Sequence, residues 1–254
     1  MKMKSFKRNL ILGMIVLCLC LSSKNSFAYT VDWNLINDDF NDLSLWDDVS
    51  IGIGGYSEID PAGQLHLDST VVADANAGII RHWVAGGIPD DYVIETKTFL
   101  SSIGTGTGNS HTIQVGNGTF RLWAQLRLDG LFVLDKNDVY NEVGTDVVQV
   151  GQWQEWRFVV STDNSNIGHS DIYLNGNLLQ GNVQSGVLES PTFDGLTYLE
   201  QSSYNVHTES HTEYFRMGTL STPVPEPGTI VLFGIGLAGL AGVEVRRRRK
   251  KAKQ

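Results

Sequence analysis

Residues 29–222 are predicted to fold as an all-β sandwich or jelly roll, and three features of the sequence point there. Apolar and polar residues alternate in short segments separated by Gly, Asn and Asp, while long amphipathic helical patterns are absent. About a dozen such segments crowd into this stretch, the strand density of a two-sheet protein. Asn175-Gly176, set between Ile172-Tyr173-Leu174 and Leu178-Leu179, is the strongest short hairpin signal available.

In chain order, strands are expected at Trp46–Ile51, Gln64–Leu67, Gly78–Val84, Tyr92–Leu100, His111–Val115 and Thr119–Leu128. They continue at Leu131–Leu134, Thr145–Val150, Gln154–Thr162, Asp171–Leu174, Tyr198–Glu200 and Glu213–Gly218. Alternation is clearest in Tyr92–Leu100, Thr119–Leu128, Gln154–Thr162 and Asp171–Leu174. No internal repeat appears, and the first linker is Ser221-Thr222-Pro223.

The two ends are of another kind. Lys2, Lys4, Lys7 and Arg8 precede the apolar run Leu10–Leu21, which is too short to span a bilayer comfortably but suits the core of a signal peptide. Ser26-Phe27-Ala28 places small residues where signal peptidase needs them, so residues 1–28 are read as a signal peptide cut between Ala28 and Tyr29. Large Leu17 and Leu19 disfavour a lipoprotein reading of Cys18 or Cys20. Both cysteines leave with the signal, and the mature chain then has no disulfide, thiolate metal site or cysteine nucleophile.

At the other end, Val224-Pro225-Glu226-Pro227-Gly228 leads into the apolar stretch 229–245 and a basic tail, 246–254, opened by Arg246, Arg247, Arg248 and Arg249. As a helix that stretch rises about 25 Å, a slightly short transmembrane span. The basic cluster would stay cytoplasmic and leave the body outside. Gly234, Gly236, Gly239 and Gly242 make one helix face small, which suits contact with another membrane helix. The Pro-Glu-Pro motif, glycine-rich apolar segment and arginine cluster, in that order, resemble the PEP-CTERM sorting domain of Gram-negative bacteria, over about thirty residues from 223. The resemblance implies recognition by an exosortase, a membrane transpeptidase-like protease. It would cut near Pro227 and pass the body to the cell surface or the exopolysaccharide matrix. A plain C-terminal anchor is the competing reading, and the short, glycine-rich span argues against it.

Charge follows the same division. The whole chain has a formal charge of −9, but residues 29–222 hold seven basic residues against 26 acids, a formal −19. An acidic body excludes nucleic acid as a partner.

Within the body, Asp39-Phe40 and Trp46 precede Gly63-Gln64-Leu65-His66-Leu67. Then follow Trp153-Gln154-Glu155-Trp156-Arg157-Phe158, Asp171-Ile172-Tyr173-Leu174-Asn175-Gly176 and Tyr214-Phe215-Arg216-Met217-Gly218. In order and spacing these resemble the concanavalin A-like, or LamG-like, jelly roll across residues 33–220. That family includes lectins, adhesive modules and glycosidases, so the resemblance leaves function open.

Laminarinase-like glycosidases of that superfamily carry catalytic carboxylates on one strand, as E-x-D-x-E or E-x-D-x-x-E, with acid and nucleophile about 5 Å apart. Glu58-Ile59-Asp60 imitates the start, but Ala62 and Gly63 stand where the third carboxylate belongs, and Pro61 interrupts the strand. Glu58 and Asp60 are therefore read as turn carboxylates. No Gly-x-Ser-x-Gly or His-Glu-x-x-His occurs, and Gly104, Gly106 and Gly108 lie in a Ser/Thr-rich loop without a following helix or Lys. The reading is a non-enzyme.

Binding candidates remain. In Thr119–Leu128, Arg121, Trp123, Gln125 and Arg127 share one face, the composition of a sugar platform in which a ring stacks on a pyranose and its neighbours bond hydroxyls. The competing and favoured reading is that loops cover this face and Trp123 is core. His207, Glu209, His211 and Glu213 alternate, spaced about 6.8 Å apart if in one strand. That phase would put Phe215 and Met217 on the same polar face, so a bulge or loop must intervene. A polar loop is favoured over a zinc site there. Asp38, Asp39 and Asp42, and separately Asp163, Asn164 and Asn166, form oxygen-rich loops. Solvated turns are favoured over calcium, because EF-hand spacing is absent.

The sequence thus predicts a secreted surface or matrix protein, structural or glycan-binding in the exopolysaccharide. Its partners are the secretion translocon, signal peptidase, the inner membrane before sorting, an exosortase and extracellular polysaccharide. No cofactor is required, and calcium is the one ion the reading admits. A glycoside-active enzyme with an unrecognised site is the alternative.

Overall fold

Short alternating segments become strands throughout the body. The computed structural model describes residues 30–50, 55–69, 75–83, 87–163, 167–187, 194–204 and 206–220. Val31–Leu220 form one compact unit, and among its described residues all regular structure is β. The predicted signal peptide, its cleavage point at Ala28 and Tyr29, the apolar stretch 229–245 and the basic tail lie outside the described residues. Among the described residues no helix is long and apolar enough to cross a membrane.

The strands are β1 (Val31–Asp38), β2 (Asp47–Asp48), β3 (Tyr56–Ile59), β4 (Leu65–Ser69), β5 (Ala75–His82), β6 (Tyr92–Ser102), β7 (Ser110–Asn117) and β8 (Phe120–Arg127). They continue as β9 (Gly130–Leu134), β10 (Tyr140–Thr145), β11 (Trp153–Thr162), β12 (Gly168–Leu174), β13 (Asn177–Gln184), β14 (Gly186–Val187), β15 (Asp194–Ser203) and β16 (Thr208–Leu220). Two sheets result. The first runs β13-β12-β11-β6-β16-β4-β3, with β1 also on β16. The second runs β10-β9-β8-β7-β15-β5-β2, with β14 on β8. Every strand pair is antiparallel. Sequence neighbours are often in opposite sheets, so the sandwich is closed by long-range pairing rather than by a meander.

The core lies between the sheets and is filled by the alternate residues the pattern marks. Leu65, Leu67, Ile94, Trp156, Phe158, Val160, Ile172, Phe215 and Met217 come from the first sheet; Ile79, Ile113, Val115, Phe120, Leu122, Leu126, Val133 and Leu199 come from the second. Their alternation partners necessarily point away from the core, and these are the residues that build the surfaces below.

Asn175-Gly176 turns β12 into β13, with Leu174 opposite Asn177 and both turn residues at positive φ, 49° and 77°, as a type I′ hairpin requires. Three expectations change, two of strands and one of a loop. Trp46–Ile51 shrinks to Asp47–Asp48, with Ile51 outside the described residues. Thr145–Val150 is not a strand; the strand is Tyr140–Thr145, and the chain then turns, with Gln154 Oε1 accepting the Gln149 N–H. His207–Glu213 is not a polar loop: all but His207 belong to β16. Of the bulge or loop that the sequence admitted, the strand has the bulge, since Thr212 pairs with Thr98 and Tyr214 with Lys97, leaving Glu213 as the extra residue. It switches the phase so that Glu209, His211 and Glu213 face out while Phe215 and Met217 face in.

Candidate functional site

On β8, Phe120, Leu122, Ala124 and Leu126 are fully buried between the sheets. Arg121, Trp123, Gln125 and Arg127 therefore occupy the opposite face of the second sheet. Register brings other strands to that face: Gln114 of β7 lies opposite Trp123 and Thr112 opposite Gln125, while Glu200 of β15 pairs with Thr112 and Tyr198 with Gln114. Trp123 does not belong to the inter-sheet core. It lies against Tyr140 of β10, ring centroids 6.1 Å apart and nearly perpendicular, and the Arg121 guanidinium lies 4.5 Å from its ring centre. Arg127 sits over the Phe132 ring.

Part of this face forms the floor of a groove of about 390 Å³, lined by Thr112, Trp123, Gln125, Tyr140, Glu200 and Ser202, with Gly108 and Tyr204 beside them. Its floor holds polar groups at high cost. Trp123 Nε1 and Gln125 Oε1 are buried there, as is Gln114 Oε1 on the same sheet face, and none of the three has a hydrogen-bond partner among the described residues. Burial pushes the Glu200 carboxyl up to about 7, against a hydrogen bond from Tyr198 that pulls the other way. Burial, and then the nearby Glu200 charge, raise the Tyr198 hydroxyl above its usual range. The floor thus mixes an acid whose ionisation burial resists, an amide acceptor, an indole donor and two aromatic rings.

The other sequence candidates disperse. Asp38 uses both carboxylate oxygens internally, accepting the Phe40 N–H at 2.8 Å and the Trp46 indole N–H at 2.6 Å; Asp39 accepts from the Asn41 side chain at 2.7 Å. Asp42 caps Ser44, and Asp163 caps Ile167, while Asn164 and Asn166 lie outside the described residues. His207 Nε2 contacts Asp68 at 2.7 Å, and Glu213 pairs with Lys97 at 2.5 Å. Glu58, expected in a turn, is in strand β3 opposite His66, because the strand ends before Pro61. Asp60 is a turn carboxylate, accepting the N–H groups of Ala62 and Gln64.

Glu200, Tyr140, Gln114 and Thr112 carry no motif, and their sequence distance from Trp123 hid them; only strand register collects them. His66 had a legible signal, since it stands between the core residues Leu65 and Leu67 and must face outward.

At the C-terminus, Pro225-Glu226-Pro227-Gly228, the apolar stretch and the arginine cluster complete the picture. Residues 223–249 match the PEP-CTERM protein-sorting motif. The motif implies processing by an exosortase, with export and membrane anchoring before sorting to the cell surface. No curated protein matches the chain in sequence. Among solved structures, the body is similar to "Cellulose induced protein, Cip1" at 14% identity and TM-score 0.53, covering 74% of this chain and 99% of that one. It also matches alginate lyase Aly36B (9% identity, TM-score 0.48, 72% and 96% covered). A third match is an endo-beta-1,4-glucuronan lyase from the fungus Trichoderma reesei (12% identity, TM-score 0.43, 80% and 95% covered). The first likeness establishes the fold alone, an all-β sandwich of the jelly-roll, concanavalin-like type.

Proposed function

We propose that this is a secreted, exosortase-sorted protein of the cell surface or extracellular matrix whose body binds polysaccharide in the Trp123 groove. Signal peptidase would remove residues 1–28 after passage through the translocon. The segment at 229–245 would hold the chain in the inner membrane of a Gram-negative cell until the exosortase cuts near Pro227.

One observation carries the binding reading: buried Trp123 Nε1 and Gln125 Oε1, without a hydrogen-bond partner among the described residues, lie beside two aromatic rings in an open groove. Sugar rings answer both needs, because their C–H faces stack on indole and their hydroxyls donate and accept in fixed directions. Arg121 and Arg127 add charged donors at the same face. A groove on an antiparallel sheet also suits a long chain, which can run on beyond the walls.

The enzymatic reading has one observation in its favour. A carboxyl raised to about 7, beside Tyr198, is poised for proton transfer near neutral pH. Both readings face one experiment: the protein is incubated with extracted exopolysaccharide, and retention and released sugar ends are assayed together. Retention lost in Trp123→Ala, with no release in the parent protein, supports binding. Release that disappears in Glu200→Gln replaces it with catalysis.

A further inference from the structure

On the outer face of the first sheet, three acidic side chains and two histidines meet with no role in the groove. His66 of β4 lies opposite His211 of β16 on one side and Glu58 of β3 on the other. The two imidazoles are stacked, nearly parallel at 4° with centroids 4.5 Å apart. Both turn Nε2 toward the same carboxylate oxygen, Glu209 Oε1, at 2.9 Å from His66 and 3.6 Å from His211. Both turn Nδ1 toward another acid, His66 to Glu58 Oε1 at 3.4 Å and His211 to Asp60 Oδ2 at 3.1 Å. His66 is buried, Glu209 and His211 are partly so, and Tyr56 and Phe99 present ring edges to the pair.

Protonation alone serves this arrangement badly. An ionised carboxylate only accepts hydrogen bonds, so the two Nδ1 contacts and the 2.9 Å His66 Nε2 contact each need an N–H, whereas His211 Nε2, at 3.6 Å, is beyond hydrogen-bond reach. Satisfying those three makes His66 an imidazolium and leaves a neutral His211 turning its Nε2 lone pair toward the same carboxylate oxygen with no proton between them. A divalent ion shared by the two Nε2 atoms and Glu209 removes the conflict. Each neutral ring then keeps its Nδ1–H on a carboxylate and offers an Nε2 lone pair to the metal, the outer-shell pattern of metal-bound histidine.

We propose that His66 Nε2, His211 Nε2 and Glu209 bind one zinc-class divalent ion, with Glu58 and Asp60 as positioning residues for the two rings. Tetrahedral zinc with bonds of about 2.0–2.1 Å needs ligand atoms about 3.3 Å apart, and the two measured separations, 2.9 and 3.6 Å, bracket that value. One ligand atom from each of the three residues lies within 4.8 Å of the others. Nitrogen-rich ligation favours zinc, nickel or copper over calcium or magnesium. Three protein ligands leave a fourth position for water. The ion would tie β4 to β16, independently of any glycan in the groove on the other sheet.

The test uses the full-length protein, stripped with a chelator and titrated with zinc chloride against a chromophoric competitor. One equivalent is expected to bind and to raise Tm, and cobalt is expected to give the intense visible bands of a tetrahedral site. Glu209→Gln, His66→Asn and His211→Asn are each expected to weaken zinc at least 100-fold. Asp60→Asn, which acts only through the His211 ring, is expected to weaken it about tenfold. His207→Gln, whose partner is Asp68, is the control and should bind as the parent does. No binding by the parent, or binding unchanged in both Glu209→Gln and Asp60→Asn, overturns the proposal. If a variant at His66 or His211 fails to fold, Glu209→Gln and the cobalt spectrum still decide it.

Discussion

Asp38 serves two elements at once. Its Oδ1 accepts the Phe40 N–H and its Oδ2 the Trp46 indole N–H, fixing Phe40 at φ 53°, where a non-glycine residue is strained. Phe40 is fully buried and packs against Trp46, which meets Phe215 edge-on, so the strained residue is seated by core contacts and the Asp38 cap together. Asp38→Ala removes both acceptors and is expected to cost about 2–4 kcal/mol in urea melts, with Asp38→Asn recovering part of the loss. Two other residues titrate in opposite senses. Burial pushes fully buried His111 down to about 4, so as pH falls from about 6.5 to 4 the unfolded chain takes a proton that the fold refuses. Stability drops on the order of 3 kcal/mol over that window, and His111→Gln should flatten this acid limb. Glu200, raised to about 7, keeps its proton in the fold between about pH 4.5 and 7 while the unfolded chain loses it, so stability falls there as pH rises. Glu200→Gln should leave melting unchanged at pH 4 and raise stability at pH 8 by up to about 3 kcal/mol. A parallel pH profile for Glu200→Gln and the parent would contradict the burial of that carboxyl.

At the scale of elements, β16 organises the first sheet. Its first half pairs with β4, its second half with β1, and its other edge with β6 throughout. The β1 contact is close: a Cβ on Gly218 would run into the Asp32 carbonyl oxygen. Gly218→Ala is expected to pry β1 away and cost about 1–3 kcal/mol, read as a lower Tm and faster amide exchange in Val31–Asp38. The same strand shows how much of the fold was legible. Glu213–Gly218 and its bulge follow from the clash between a polar phase ending at Glu213 and an apolar phase starting at Phe215. Strands with a clean wet-and-dry alternation, Tyr92–Ser102, Trp153–Thr162 and Phe120–Arg127, were readable to within about two residues at each end. β1 escapes the pattern because it is rich in Asn and Asp and buries little, and of β13 only the turn end, Leu178-Leu179, is legible as the hairpin partner. The groove was half legible. Its β8 residues declare themselves by alternation, but Thr112 and Glu200 join them only through register, which no local pattern encodes. His66 likewise reaches His211 across a pairing of strands 145 residues apart in sequence.

For the whole molecule, charge falls in three zones. The ends carry most of the basic residues and the sorting motif lies at 223–249, whereas residues 29–222 hold a formal −19. A body so acidic stays soluble and repels anionic polymers, so neutral sugars or cation-bridged ones are the ligands its surface field permits. Processing has a direct readout: mass spectrometry of the surface form should find a C-terminus near Pro227, and an intact Arg246–Lys251 tail would refute exosortase cleavage. The central claim is that the Trp123 face holds polysaccharide, and it is tested most directly by equilibrium retention on extracted exopolysaccharide. The parent protein and Trp123→Ala, shown by melting to be equally folded, are compared at one ionic strength. Trp123→Ala should hold the polysaccharide at least tenfold more weakly, about 1.4 kcal/mol of lost stacking; equal retention of the two proteins would rule out the Trp123 face as the binding surface.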